Sequence, residues 1–200
     1  MLLLRGAIHR EIQQFLVSII SFWTSMAKTA SKNGIVDLAK IDDINKFFNR
    51  DSLLLISACI RFSEESNTID INKKYINWYT EIMYRLEEIN IKGNRILNRY
   101  NNSMRTEIFY KLFYLINESI MVGNLSKAVE AATKSYGKNL LLAQCMSFGS
   151  EVGGEQIDKT CKIIIDLYNW INSEYKYIVS NIEENIIMIN NIEFAKFLKN

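Results

Sequence analysis

Apolar residues recur along this chain at alternating spacings of four and three, the pattern of helices that each bury a stripe. In the first segment Ile8, Ile12, Phe15, Ile19, Phe22 and Met26 fall on one such stripe. Leu16, Val17, Ile20 and Trp23 widen it, so the helix predicted over residues 2–32 is buried on more than one side. Asn33-Gly34 should end it, because glycine takes the left-handed conformation at a helix end at little cost. A shorter helix is predicted over 35–49. Another follows over 53–62, capped by Asp51 or Ser52, and its LLLISACI run is too apolar for a surface element.

Residues 63–72 read as a loop, with a short extended piece where Ile69 and Ile71 alternate with polar neighbours. Asn72 is placed to cap a helix over 73–90, with Ile76, Tyr79, Met83 and Leu86 facing inward. Gly93 is expected to interrupt the pattern, which resumes through Ile108, Leu112, Leu115 and Ile116 to Val122, where Gly123 stops it. Ser126 should start a helix over 127–136, Gly137 break it, and a helix over 138–148 follow. GSEVGG, residues 149–154, reads as a flexible loop. The strongest pattern is the last: Ile157, Cys161, Ile164, Tyr168, Ile171, Tyr175, Ile178 and Ile182 alternate by four and three without a break. Such a helix packs lengthwise, as in a bundle. Ile163, Ile165, Leu167 and Trp170 lie off its stripe and imply further neighbours, and Phe194, Phe197 and Leu198 form a small amphipathic tail.

Composition sharpens this picture. The 200 residues include no proline, which strand-and-loop proteins use at edges and turns and helix interiors exclude. Isoleucine, a good strand former, is the counter-signal with 30 copies, read here as a trace of A/T-rich coding sequence. The expectation is an all-α fold: a single-domain helical bundle spanning residues 1–200, with about seven to nine helices and a long C-terminal one. FLVSIISFW, residues 15–23, followed by Ser25-Met26-Ala27, imitates a signal peptide, but Glu11, Gln13 and Gln14 intrude. The run is also far short of the ~20 residues a membrane span needs. Cys59, Cys145 and Cys161 are odd in number and widely spaced, which argues for reduced core thiols and a cytoplasmic location rather than a disulfide framework.

Formal net charge is +2, too small to imply a partner. It is unevenly spread: Lys92, Arg95, Arg99, Arg105 and Lys111 against Glu107 alone give residues 92–111 a net +4. On a helix Arg95, Arg99 and Asn102 share a face that can meet successive phosphates, with Tyr100 near enough to stack on a base. The simpler reading is that Glu87, Glu88 or the acidic last helix pairs with these cations, and an acidic protein partner is a third. The candidate site for nucleic acid or an acidic partner is therefore Lys92, Arg95, Arg99, Tyr100 and Arg105. Arg105 is unusual: in the first turn of a helix beginning at Ser103 it meets the positive end of the helix dipole.

Catalytic chemistry is scarce. A single histidine, His9, excludes two-histidine metal sites and HExxH, so neither a metal nor a cofactor is expected. AATKSYGKN, residues 131–139, has the Gly-Lys of a phosphate loop but lacks the first glycine, the Ser/Thr and a preceding strand. The acidic pairs Asp42-Asp43, Glu64-Glu65, Glu87-Glu88 and Glu183-Glu184 point about 100° apart on a helix and make no dyad. Arg5 and His9 lie one helical turn apart, an order that resembles the Arg and His of helical HEPN-class ribonucleases at a shorter spacing. Three readings follow, with no catalytic residue assigned in the first two. The leading one is a non-catalytic adaptor or subunit acting through protein contacts or self-association. The second is a nucleic-acid-binding helical subunit of a ribonucleoprotein using residues 92–111. The third is a small HEPN-like nuclease built on Arg5 and His9.

Overall fold

The computed structural model describes residues 2–70, 72–146, 151–181 and 192–199. They form nine α-helices and one two-stranded hairpin, in the order α1 (Leu2–Lys32), α2 (Ile44–Phe47), α3 (Arg50–Ala58), β1 (Glu65–Ile69), β2 (Tyr75–Asn77), α4 (Trp78–Tyr100), α5 (Thr106–Asn117), α6 (Leu125–Tyr136), α7 (Leu142–Cys145), α8 (Glu151–Asn181) and α9 (Phe194–Lys199). The fold is all-α, as the periodicity requires.

The first helix is the centre of the bundle. Ile12, Phe15, Leu16, Ile19, Ile20, Trp23, Met26, Ala27 and Ala30 are fully buried, which accounts for its doubly apolar sequence. Gly34 at φ 72° ends it, with Ile35 N–H donating to Ala30 O at 3.1 Å. On one side α1 packs against α4 and on the other against α8, antiparallel to both. Glu11 meets Arg95 and Arg99 of α4, and Ser18 meets Lys92. Arg5 meets Glu174 of α8, and His9 meets Ile171. From α8, Ile157, Cys161, Ile164, Leu167 and Ile171 are buried in the same continuous apolar cluster. Side chains of α8 beyond Glu174, Tyr175 and Ile178 among them, lie outside the described ones, as do Ile182 and Glu183-Glu184. The tail docks by Ile192, whose N–H donates to Asn172 Oδ1 and whose carbonyl accepts from Tyr168 Oη, and by Phe194 against Phe47.

The structure departs from the sequence expectation at several joints. The helix expected over 35–49 is a single 3-10 turn, Leu38–Lys40, followed by α2, which Asp43 caps through Asn45 N and Lys46 N. The third helix starts earlier than expected, because Asn49 Oδ1 accepts from Ser52 N at 2.9 Å and serves as its cap. Residues 73–77 are not helical. The Asp70 carboxylate accepts from Asn72 N and Lys74 N, Lys73 adopts φ 60°, and the chain turns back as a hairpin before Asn77 caps α4. Ile71 lies outside the described residues.

Gly93 does not interrupt anything: α4 runs through it, and it is buried where α4 meets α5. The break comes at residues 101–105, where Ser103 N and Met104 N both donate to Tyr100 O. The helix expected over 138–148 shrinks to α7, and Glu151–Gly154, expected as loop, is the first turn of α8. Residues 147–150 lie outside the described ones. Gly137 ends α6 at φ 76°, as expected.

Candidate functional site

The expected cationic residues sit on two adjoining clusters at one end of the bundle, with Lys92 apart. Arg95 and Arg99 share a face of α4, as their spacing requires, and converge on Glu11 of α1. Arg99 Nη1 donates to Glu11 Oε1 at 2.9 Å, Tyr100 Oη donates to the same oxygen at 3.1 Å, and Arg95 Nε stands 3.4 Å from Oε2. Tyr100 is only 5% exposed and lies beneath the Arg99 guanidinium, with Cζ 5.4 Å from its ring centroid. It is a core residue and offers no free face to a base. Burial and the Glu11 carboxylate push its phenol above the ordinary range. Lys92 donates to Ser18 Oγ at 2.9 Å and pairs with Glu88 at 3.0 Å.

The second cluster centres on Glu174 of α8. Arg5 Nε donates to Oε2 at 2.7 Å, its Nη2 contacts the same oxygen, and Arg105 Nη2 approaches Oε1 at 3.5 Å. Arg105 is the N-cap residue of α5, which has no side-chain cap, so the cation stands at the positive helix end that electrostatics disfavours. The 101–105 break preserves the conflict seen in the sequence, and Glu174 relieves it.

His9 sits behind this cluster and is fully buried. Its Nε2 lies 2.9 Å from the Ile171 carbonyl oxygen. A carbonyl only accepts, so Nε2 carries the hydrogen and Nδ1 is left as an acceptor in the neutral ring. Burial lowers the imidazole's proton affinity, against smaller opposing effects of the Ile171 carbonyl and Glu174. Among the described residues Nδ1 has no hydrogen-bond partner, and neither has Trp170 Nε1, whose ring centroid is 6.0 Å from that of His9. Both residues border a half-open cavity of about 210 Å³ lined also by Met104, Arg105, Arg5 and Glu174. Arg5 and His9 are thus brought together, but around an enclosed neutral imidazole.

Sequence reasoning anticipated the arginine face and the pairing with the last helix. It missed Glu11, Trp170 and the cavity. The available signal was Glu11 itself, a charge set into an otherwise apolar stretch of helix. Among the described residues no group of three metal-ligating side chains forms, and no helix is long and apolar enough to cross a membrane. Comparison with protein-family models, with curated proteins and with solved structures finds no match.

Proposed function

We propose that this chain is a non-catalytic, cytoplasmic helical subunit that works through protein contacts, meeting an acidic surface of a partner with the end of the bundle formed by α1, α4 and α5. The observation that carries this reading is a two-to-one ratio. Arg95 and Arg99 share Glu11, and Arg105 stands 3.5 Å from a Glu174 that Arg5 already binds. Arg10, exposed and near enough to Tyr100 to act on its phenol, adds another cation. The internal pairing positions the guanidinium groups without neutralising the surface, and Arg95, Arg99 and Arg105 remain more than half exposed. Held guanidinium forks suit carboxylates of a partner. Tyr110 and Phe113 stand exposed on α5, the helix that Arg105 opens, and offer apolar contact area.

A nucleic-acid strand asks for a track of cations and for stacking faces. Here the patch is compact. Lys134 pairs with Glu130, Lys138 lies over the Tyr79 ring at 4.4 Å, and Tyr100 is buried. The test is fluorescence anisotropy with a labelled Glu/Asp-rich peptide and with labelled single- and double-stranded DNA and RNA, at low and physiological salt. The expected result is peptide binding that persists at physiological salt and is lost when Arg95→Ala and Arg99→Ala are combined. Nucleic-acid binding at physiological salt, abolished by the same pair, would replace this reading with the ribonucleoprotein one. Binding to neither would overturn both.

A further inference from the structure

We infer that the outer face of α4 pairs two copies of this chain antiparallel, about a two-fold axis at Ile91. The face consists of Tyr84, Glu87, Ile91, Asn94, Arg95 and Asn98, all exposed, with Ser126 of α6 at its margin. Tyr84, Glu87, Ile91, Asn94 and Asn98 recur at the alternating spacing of three and four that marks one side of a helix. Tyr84 and Ile91 lie on this side at 66% and 61% exposure. A single exposed isoleucine needs no explanation, so the inference rests on what surrounds it.

The surroundings of Ile91 are self-complementary. Glu87 stands one turn before it and Arg95 one turn after it. An antiparallel copy centred on Ile91 therefore sets Glu87 beside Arg95 of the second copy, and the symmetry makes the pair twice. Tyr84 and Asn98 stand seven positions either side of Ile91 and meet in the same way, phenol against amide. Both charges have capacity left. Glu87 is exposed and enters no ion pair among the described residues. Arg95 Nε reaches Glu11 only at 3.4 Å, and its side chain stays 55% exposed.

The same charges exclude other arrangements. A parallel pairing in register sets Glu87 on Glu87 and Arg95 on Arg95. Moving the two-fold axis one turn either way places it on Glu87 or on Arg95, again with like charges together. Of these, only the antiparallel register centred on Ile91 joins opposite charges and closes Ile91 against its own copy. The stripe from Tyr84 to Asn98 spans about 21 Å at ~1.5 Å per residue, which suits a small, reversible interface.

The inference goes beyond the acidic-partner reading, sharing Arg95 with it and requiring no Arg105. Sedimentation of the full chain from about 1 µM to about 1 mM should show monomer passing to dimer. Ile91→Glu, which puts two carboxylates on the axis, should stay monomeric at unchanged helix content. Glu87→Arg and Arg95→Glu should each weaken association about tenfold or more. Their equimolar mixture should restore it, because each mixed pair again joins arginine to glutamate. Arg95→Glu adds a second carboxylate beside Glu11. Where that variant does not fold, Ile91→Cys takes its place: it should form an interchain disulfide on mild oxidation, whereas Tyr136→Cys, more exposed on α6, should not. The acidic-peptide titration is run below the dimer range, so that either reading can fail alone. The inference is overturned if the parent stays monomeric throughout, if Ile91→Glu dimerises as the parent does, or if neither the mixture associates nor Ile91→Cys cross-links.

Discussion

Gly93 of α4 and Ile116 of α5 meet so closely that a Cβ on Gly93 would lie 2.6 Å from Ile116 Cδ1 and Cγ1, and 2.9 Å from Phe15 Cε2. Two effects oppose each other in Gly93→Ala. Alanine favours a helix interior over glycine by ~1 kcal/mol, whereas overpacking a filled core costs ~1–3 kcal/mol. Packing should win, with a net loss of about 1 kcal/mol in urea unfolding at unchanged slope. Adding Ile116→Val should recover part of it. Gly123→Ala should be worse, because its Cβ would fall 1.7 Å from the Ile116 carbonyl oxygen, and backbone cannot swing aside. A loss of roughly 3 kcal/mol or more is expected there. A Gly93→Ala variant more stable than the parent would show that the α4–α5 contact is looser than described.

The same glycine marks where the sequence is legible and where it is not. A glycine that breaks a helix and a glycine that lets two helices touch look identical in one chain, since the difference lies in Ile116, far along the sequence. The stripes of α1 and α8 were readable because period alone settles them. The hairpin was not, because its turn depends on one carboxylate, Asp70, gathering two backbone N–H groups. The arginine face of α4 was readable from its spacing. Its partner Glu11, 88 positions earlier, was not, because only the antiparallel docking of α1 and α4 brings them together.

Glu11 restrains the arginine patch. With its side chain only 12% exposed, it holds Arg95, Arg99 and Tyr100 at once. Glu11→Gln keeps the size and an acceptor but removes the charge. Thermal melts should show a loss of about 1.5–3 kcal/mol, the weight of hydrogen bonds to a charged group. Acidic-peptide binding should move the other way, becoming tighter and steeper in salt as two guanidinium groups lose their internal counter-charge. Weaker peptide binding in a folded Glu11→Gln protein would mean that Glu11 orders the arginines more than it neutralises them.

The cysteines should be inert. Burial pushes the Cys145 thiol up to about 11, and burial with the nearby Asp158 charge pushes Cys161 up to about 12. Cys59 is also raised by burial, and its Sγ lies 3.0 Å from the Leu55 carbonyl oxygen. Since the thiolate is the nucleophile, a two-unit rise cuts its population about a hundredfold. Native protein at mildly alkaline pH should react slowly with a disulfide reagent, and all three thiols should react at once in denaturant. A fast thiol in the native state would expose a local opening around it.

His9 should make stability fall with mild acid, and the sign follows from its surroundings. In the fold, burial holds the imidazole's proton affinity below the ordinary value of 6.5, although Glu174 and the Ile171 carbonyl oppose the shift. Arg5 and Arg105 are the other charged groups at this cavity. Above pH 6.5 neither the folded nor the unfolded chain protonates His9, and its contribution is complete. Below it the unfolded chain takes up a proton that the fold refuses, so stability declines by up to ~1.4 kcal/mol per pH unit until the folded value is reached. His9→Gln retains an amide donor for the Ile171 carbonyl and cannot titrate. Its urea midpoint should stay nearly level between about pH 7 and pH 5, above the carboxylate range, while the parent's falls. An equal decline in both proteins would place the acid-sensitive group elsewhere. A parent that gains stability in that window would mean that Glu174 outweighs burial and that His9 is held as a cation.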